Sequence, residues 1–158
     1  MKIEKKSNGV QQNISLGISA IKRRLKKHLS KRLPLGQTVR GGKAMIRKYS
    51  DMQTSVKEKL RGGTGSALFR AVAEEGSVKH CRLFSEIILE KGSSIGEHDH
   101  VNETEYYWIT EGEGIVTEAD GEKRVTKGDL VVTGGGASHA IRNEKETPLK
   151  FLAVIILD

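Results

Sequence analysis

Residues 92–112, GSSIGEHDHVNETEYYWITEG, decide the fold of this chain. Side chains two residues apart in a strand share a face, so His98 and His100 are both expected to point inward. The following residues, EYYWIT, are rich in aromatic and β-branched side chains and predict a second strand that begins at Glu105. Imidazole and carboxylate groups on converging strands are suitable ligands for a transition metal.

A second segment, residues 128–143, carries a fourth candidate ligand. It reads GDLVVTGGGASHAIRN, which predicts a turn, a buried strand, a tight glycine bend and a new strand that starts near His139. We therefore predict one site for a divalent metal, with Mn, Fe, Ni, Cu, Co and Zn all compatible with its ligands. Its four predicted ligands are His98, His100, Glu105 and His139.

The two segments resemble the two motifs of the cupin superfamily. The first motif is Gly92-x5-His98-x-His100-x4-Glu105-x6-Gly112, and the second is Gly128-x5-Gly134-x-Gly136-x2-His139-x3-Asn143. Cupins usually have proline where this chain has Gly134, a difference that affects a bend and leaves the ligand positions filled. The resemblance extends over residues 45–158, and the pattern looks most like small single-domain bacterial cupins related to oxalate decarboxylase.

The resemblance implies an all-β fold, the cupin double-stranded β-helix, a jelly-roll-like barrel with the metal in its mouth. Small cupins of this type are commonly homodimers, so we expect a homodimer. The rest of the chain agrees with an all-β fold, because short strand-like runs alternate with glycine-rich turns. Strands are predicted at 67–72, 80–89 and 149–157, the last fully buried, and residues 51–60 are predicted as a helical or irregular lead-in.

By the same resemblance, we expect a metal-dependent decarboxylase, oxidase or dioxygenase that acts on a small oxygen-rich carboxylate, with Mn as the favoured metal. An anionic substrate needs a cation nearby, for which Arg82 and Arg142 are candidates, the latter more consistent with a surface residue. Glu97 and Glu103 are candidate proton donors, and Tyr107 is a candidate pocket residue on the ligand face. Two alternatives remain open: a sugar-phosphate isomerase or epimerase, and a metal- or ligand-binding module without turnover.

The first 44 residues differ sharply in charge from the remainder. Residues 1–44 hold 12 Lys/Arg and one acid, a net charge of +11, whereas residues 45–158 have a net charge of −4. A helical stripe of apolar residues runs through this basic extension: Ile14, Ile18, Ile21, Leu25 and Leu29. Such a helix can contact nucleic acid or an anionic membrane. Alternatively, residues 1–44 are translated upstream sequence of a gene that starts at Met45.

The cysteine content and the lengths of the apolar runs indicate the compartment of the protein and its relation to membranes. Cys81 is its single cysteine, which excludes an internal disulfide framework and fits a reducing compartment. No run approaches the roughly 20 apolar residues of a membrane-spanning helix, and the start lacks the pattern of a secretory signal. We therefore expect a cytoplasmic protein.

Overall fold

The computed structural model describes residues 46–158, so the predicted basic helix of residues 1–44 lies outside the described residues. The described part consists of ten β-strands and two short 3-10 turns, Tyr49–Asp51 and Leu60–Gly62, without an α-helix. The strands are β1 Thr54–Glu58, β2 Ser66–Ala71, β3 Cys81–Leu89, β4 Ser94–Asp99, β5 Glu103–Glu111, β6 Glu113–Glu118, β7 Gly121–Thr126, β8 Leu130–Gly134, β9 Ser138–Arg142 and β10 Leu149–Leu157. The all-β prediction is confirmed.

The strands form two antiparallel sheets that enclose the core. The larger sheet has six strands in the order β1-β2-β3-β10-β5-β8, and the smaller has four in the order β4-β9-β6-β7. From β3 to β6, and again from β7 to β10, consecutive strands of the chain alternate between the two sheets. This alternation brings the segment that contains His98 and the segment that contains Glu105 onto facing walls.

The core follows from the two-residue period of the strands. In β10 the burial pattern alternates strictly from Leu149 to Ile155, and Leu149, Phe151 and Ala153 are completely buried. Their neighbours on the facing sheet include Ile95, Val116 and Ile141, each about 1–2% exposed. These residues form one continuous apolar cluster, through which the two sheets pack against each other.

Two segments form the predicted strands but are less buried than predicted. The run at residues 130–133 is predicted as a buried strand and the run at 149–157 as a fully buried strand, but both alternate between buried and more exposed positions. Ile156 and Leu157 are each 40% exposed, and Leu130 and Val132 are 57% and 51% exposed. The continuous apolar runs arise because both faces of these strands are apolar, so burial cannot be inferred from hydropathy alone.

The expected lead-in at residues 51–60 is also different in the structure. Thr54–Glu58 forms strand β1, which pairs antiparallel with β2 from Thr54↔Arg70 to Glu58↔Ser66. All five residues of β1 are exposed, so the inside–outside pattern that marks a strand is missing from its sequence. Pairing with β2, and not burial, makes this segment a strand.

Within the described residues, no helix is long and apolar enough to cross a membrane.

Candidate metal centre

The four predicted ligands meet between the two sheets. His98 lies in β4 and His139 in β9, where the two are directly paired across the smaller sheet. His100 follows the end of β4, and Glu105 comes from β5 of the larger sheet. A register shift after Ile95, at Gly96 and Glu97, turns His98 and His100 toward the interior while Ile95 remains in the core.

The imidazole Nε2 atoms of the three histidines converge on one carboxylate oxygen. Glu105 Oε2 lies 2.9 Å from His139 Nε2, 3.0 Å from His100 Nε2 and 3.6 Å from His98 Nε2. The Nε2 atoms of His100 and His139 are 3.3 Å apart. One ligand atom from each of the four residues lies within 4.8 Å of the others, as expected of groups arranged around one ion.

The Nδ1 atom of each imidazole has a separate partner. His98 Nδ1 lies 2.9 Å from the Gly96 carbonyl oxygen, and His100 Nδ1 lies 2.8 Å from Glu103 Oε1. A carbonyl and a carboxylate only accept hydrogen bonds, so both Nδ1 atoms carry the proton. His139 Nδ1 lies 2.8 Å from the Thr133 hydroxyl. The partners of His98 and His100 leave the two Nε2 lone pairs free.

This arrangement fits a bound cation. In the neutral imidazoles of His98 and His100, a lone pair on Nε2 faces the lone pairs of the Glu105 carboxylate. Two acceptors at close range repel each other unless a cation or a proton lies between them. Three imidazole nitrogens and one carboxylate are ligands suited to a divalent transition metal, and ordered Nδ1 partners are typical of metal-binding histidines.

Comparisons with known proteins agree with the fold and the site. The Cupin domain family matches residues 85–155. Over 117 residues the chain is 36% identical to the oxalate-binding protein of Thermotoga maritima. The aligned region covers 73% of this chain and 97% of that relative. This chain is a cupin. The resemblance noted in the two sequence motifs is thereby confirmed.

Solved structures similar to this cupin span a range of activities. A crystal structure described as a predicted oxalate decarboxylase from Thermotoga maritima matches with a TM-score of 0.69 and 35% identity, over 72% of this chain and all of that one. A cupin-superfamily sugar phosphate isomerase from Silicibacter pomeroyi matches with a TM-score of 0.52 and 20% identity, over 58% and 60% of the two chains. The second similarity shows the shared fold alone.

Glu105 is strongly held in its ionised form in this cupin. Burial by itself would raise the pKa of this carboxyl, but the hydrogen bond with His139 at 2.9 Å, together with the nearby side chains of His98 and Tyr107, outweighs burial and lowers the pKa to about 2. Burial works to lower the pKa of His98, whereas the Glu105 carboxylate, 3.6 Å from its Nε2 atom, and the hydrogen bond to the Gly96 carbonyl raise it, and the net pKa is raised. A buried carboxylate among imidazoles gives the site a negative charge that favours a cation.

Tyr107 supports the site from the core, which agrees with its predicted place on the ligand face. Its ring is 1% exposed, stacks on His139 with centroids 4.8 Å apart, and contacts Phe151 at 4.5 Å. Burial raises the pKa of its hydroxyl well above the ordinary value, and the nearby Glu105 carboxylate adds to this effect. Tyr107 therefore stays neutral, and its ring packs against the imidazole of His139. Trp108, its neighbour, lies 53% exposed on the opposite face.

Arg82 and Glu103, predicted as an anion-binding and an acid residue, are paired with each other. Arg82 Nε donates to Glu103 Oε2 at 2.7 Å, and a second short contact joins Arg82 Nη2 to Glu103 Oε1. Hydrogen bonding from Arg82 lowers the pKa of Glu103. Because Glu103 also accepts from His100, the pair holds the imidazole of this candidate ligand in place.

A β-bulge explains how Arg82 reaches Glu103. In β3, Leu83 pairs with Ile155 and Cys81 pairs with Ile156, so Arg82 is skipped in the register with β10. Regular alternation would place Arg82 on the outer face, opposite to Leu83. The bulge re-aims its side chain toward the end of the barrel that contains the three histidines and Glu105.

The other predicted candidates lie away from the centre. Glu97 is exposed in the irregular part of β4 and does not line the central cavity. Arg142 is bound on the surface by Glu122 and Glu144, as the surface interpretation expected, and these acids raise its pKa. His80 is exposed, with a positive φ of 60°, and is outside the ligand cluster.

A cavity of about 170 Å³ opens beside the ligands. It is smaller than the clefts of roughly 300–1,000 Å³ that hold drug-sized ligands, so it fits a ligand of a few heavy atoms. Charged and apolar side chains share its wall, and the lining residues outside the ligand set include Lys57, Leu60, Arg61, Glu75, Arg82 and Ile95.

Two residues of the site escaped prediction from the sequence. Thr133 is 3% exposed and contacts His139 through its hydroxyl, and its inward position in β8 was the only available signal. Arg61 lies in a glycine-rich loop more than 30 residues before the first ligand and reaches the cavity only through tertiary contacts.

Proposed function

We propose that this cupin binds one divalent metal, Mn²⁺ in the first instance, and binds a small carboxylate of the oxalate class at that metal. The observation that carries the proposal is the convergence of three Nε2 atoms on Glu105 beside a cavity of about 170 Å³. The ligands would be His98, His100, Glu105 and His139.

The donor set leaves room for an external ligand. A six-coordinate metal held by these four residues would leave two positions for oxygen atoms of a small carboxylate. When bound, the metal supplies Lewis-acid polarisation of a coordinated oxygen. The protein side chains orient the imidazoles through Gly96, Glu103 and Thr133, and Tyr107 and Ile95 exclude water from one side of the ligands.

The relatives support the same ligand class. The Thermotoga maritima relative is named for oxalate binding, and it shares 36% identity over nearly its whole length. That this chain binds the same ligand as its relative is part of the proposal. The isomerase alternative gains no support from the Silicibacter pomeroyi structure, since a likeness at 20% identity shows the fold alone.

Turnover of the carboxylate, as a decarboxylase, oxidase or dioxygenase, is the second candidate function. A proton donor is needed for decarboxylation, and Glu75 is the only carboxyl besides Glu105 among the described residues that line the cavity. Glu103 is unsuited to this role because Arg82 and His100 both bind its carboxylate. Among the described residues, a single carboxyl outside the ligand set therefore lines the cavity, and carboxylate binding without turnover agrees better with this arrangement.

The proposed function is tested on the untagged full-length chain. Elemental analysis should find close to one metal ion per chain, and isothermal titration of the Mn²⁺-loaded protein should detect oxalate binding that the metal-free protein lacks. The double variant His98→Ala/His139→Ala should lose both signals, whereas His80→Asn, at an exposed histidine outside the site, should keep both. A wild-type protein that takes up no metal would refute the proposal. Release of carbon dioxide from oxalate would establish turnover.

We further propose that residues 45–158 form the cupin domain and that it acts as a homodimer. The outer face of the six-stranded sheet, the side turned away from the core, carries adjacent apolar residues. Trp108 pairs with Leu130 on one side and Leu152 on the other, and Tyr106 pairs with Val132 and Val154. Monomeric proteins rarely expose a contiguous apolar patch of this kind. The fully exposed strand β1, at the edge of the same sheet, is a further surface that a second copy would cover.

A further inference from the structure

Arg61 lies in an unusual backbone conformation at the mouth of the central cavity. Its φ and ψ are 54° and 31°, in the left-handed region that non-glycine residues rarely adopt. Glycine adopts this conformation without steric cost, and Gly62 and Gly63 follow directly in the chain. An arginine held in such a conformation beside a cavity is the kind of local strain that occurs at functional sites.

Close backbone contacts hold the turn of residues 60–63 against β4. A Cβ atom on Gly96 would overlap the carbonyl oxygen of Arg61, and one on Gly63 would overlap the carbonyl oxygen of Ser94. The absence of both side chains allows the two segments to touch. Thr64 extends the contact, since its amide donates to Ser94 Oγ at 2.8 Å and its hydroxyl donates to the Gly92 carbonyl at 2.7 Å.

This contact places Arg61 next to the ligands. Gly96, which it touches, also supplies the carbonyl that accepts from His98 Nδ1. Arg61 lines the same cavity as His98, His100, Glu105 and Tyr107.

Arg61 also differs from the other arginine of the cavity in its partners. Arg82 is neutralised by Glu103 through two contacts. Among residues 46–158, Arg61 forms no ion pair within 4.0 Å and its side chain makes no hydrogen bond. A guanidinium at the cavity, without an acidic partner in the described part of the chain, is available to an anionic ligand.

We propose that Arg61 determines ligand specificity by binding the carboxylate end of the ligand that lies farther from the metal centre. The guanidinium can donate two parallel hydrogen bonds to a carboxylate, which favours ligands with two carboxylates over ligands with one. This inference rests on the proposed function, because it assumes that one carboxylate lies at the four-ligand centre. It assigns Arg61 the anion-binding role that the sequence suggested for Arg82 or Arg142.

Arg61→Asn tests the proposal with little disturbance of the backbone, because asparagine tolerates the left-handed conformation. Titration of Mn²⁺-loaded full-length protein should show oxalate binding about tenfold or more weaker in this variant, since a charge-assisted pair is lost. Acetate binding should change by less than about threefold, since acetate lacks the second carboxylate. Metal content should stay at the wild-type value. Arg124→Gln, at an exposed arginine on β7, is the matched control and should bind oxalate as the wild type does.

A second variant separates ligand binding from folding. Arg61→Gly removes both the guanidinium and the backbone strain, so its thermal midpoint should equal or exceed that of the wild type while its oxalate binding is weakened. If Arg61→Asn and Arg61→Gly bind oxalate with wild-type affinity, the role of Arg61 is refuted and the proposed function stands. If the wild type with bound Mn²⁺ fails to bind oxalate, the proposed function is refuted and the role of Arg61 with it.

Discussion

At the scale of single residues, the centre depends on which nitrogen of each histidine is free. Gly96, Glu103 and Thr133 each bind one Nδ1 atom, and all three Nε2 atoms therefore face Glu105. Only one of these partners is charged. Glu103 is in turn held by Arg82, so the orientation of His100 depends on a chain of three side chains that joins β3 to the metal centre.

Glu103→Ala should weaken metal binding by about 10- to 100-fold, because His100 loses the acceptor that fixes its proton on Nδ1. Competition with a chelator of known affinity measures the effect. Glu97→Ala is the matched control, since it removes an exposed glutamate from the neighbouring strand without touching a ligand. Equal metal affinity in Glu103→Ala and the wild type would show that Glu103 does not support His100.

At the scale of elements, two irregularities shape the site. The register shift in β4 lets Ile95 and His98 both face the interior, and the bulge in β3 turns Arg82 toward Glu103. The turn Leu60–Gly62 depends on the first of these, because it packs directly on Gly96. Bulges of this kind occur beside active sites because they re-aim side chains that regular strands would direct elsewhere.

Gly96→Ala should disturb this contact, since the added methyl group meets backbone atoms that cannot rotate away. Overpacking of this kind costs about 1–3 kcal/mol of unfolding free energy, and the thermal midpoint should fall by roughly 5–15 °C. Oxalate affinity should fall as well, because Arg61 moves with the turn. Thermal unfolding and titration of the Mn²⁺-loaded protein measure the two effects. A variant that matches the wild type in both would show that the close approach is unimportant.

At the scale of the whole molecule, both the bound metal and the outer face of the six-stranded sheet affect stability. A metal that binds only the folded chain stabilises it, by about 2.7 kcal/mol at a free concentration of 100 times Kd. Because the ligands come from both sheets, the metal would link the two walls of the barrel. The outer face of the larger sheet, which carries Trp108 on β5, would be covered by a second copy.

Removal of the metal with EDTA should lower the thermal midpoint of the wild-type protein by about 10 °C or more when the metal was near saturation. Differential scanning calorimetry with and without the chelator measures the shift. The double variant His98→Ala/His139→Ala should melt at the same temperature in both conditions. A chelator effect of equal size in wild type and double variant would contradict a metal bound at these residues.

Trp108→Glu should weaken the dimer by about 30-fold or more in Kd, because a buried tryptophan at an interface commonly contributes 2 kcal/mol or more. Light scattering after size-exclusion chromatography, over a range of concentrations, measures the assembly. Lys127→Gln changes the net charge by the same amount at an exposed turn residue and should leave the dimer intact. A wild-type protein that is monomeric at high concentration would refute the homodimer proposal.

The sequence by itself determined the four candidate ligands and the all-β class, because strand alternation and turn chemistry are local properties. Tertiary structure decided what surrounds them. Strand register, which depends on distant partners, paired Arg82 with Glu103, and packing of the turn Leu60–Gly62 on β4 brought Arg61 to Gly96. It also decided which face of β8 and β10 is buried, since both faces are apolar and hydropathy does not distinguish them.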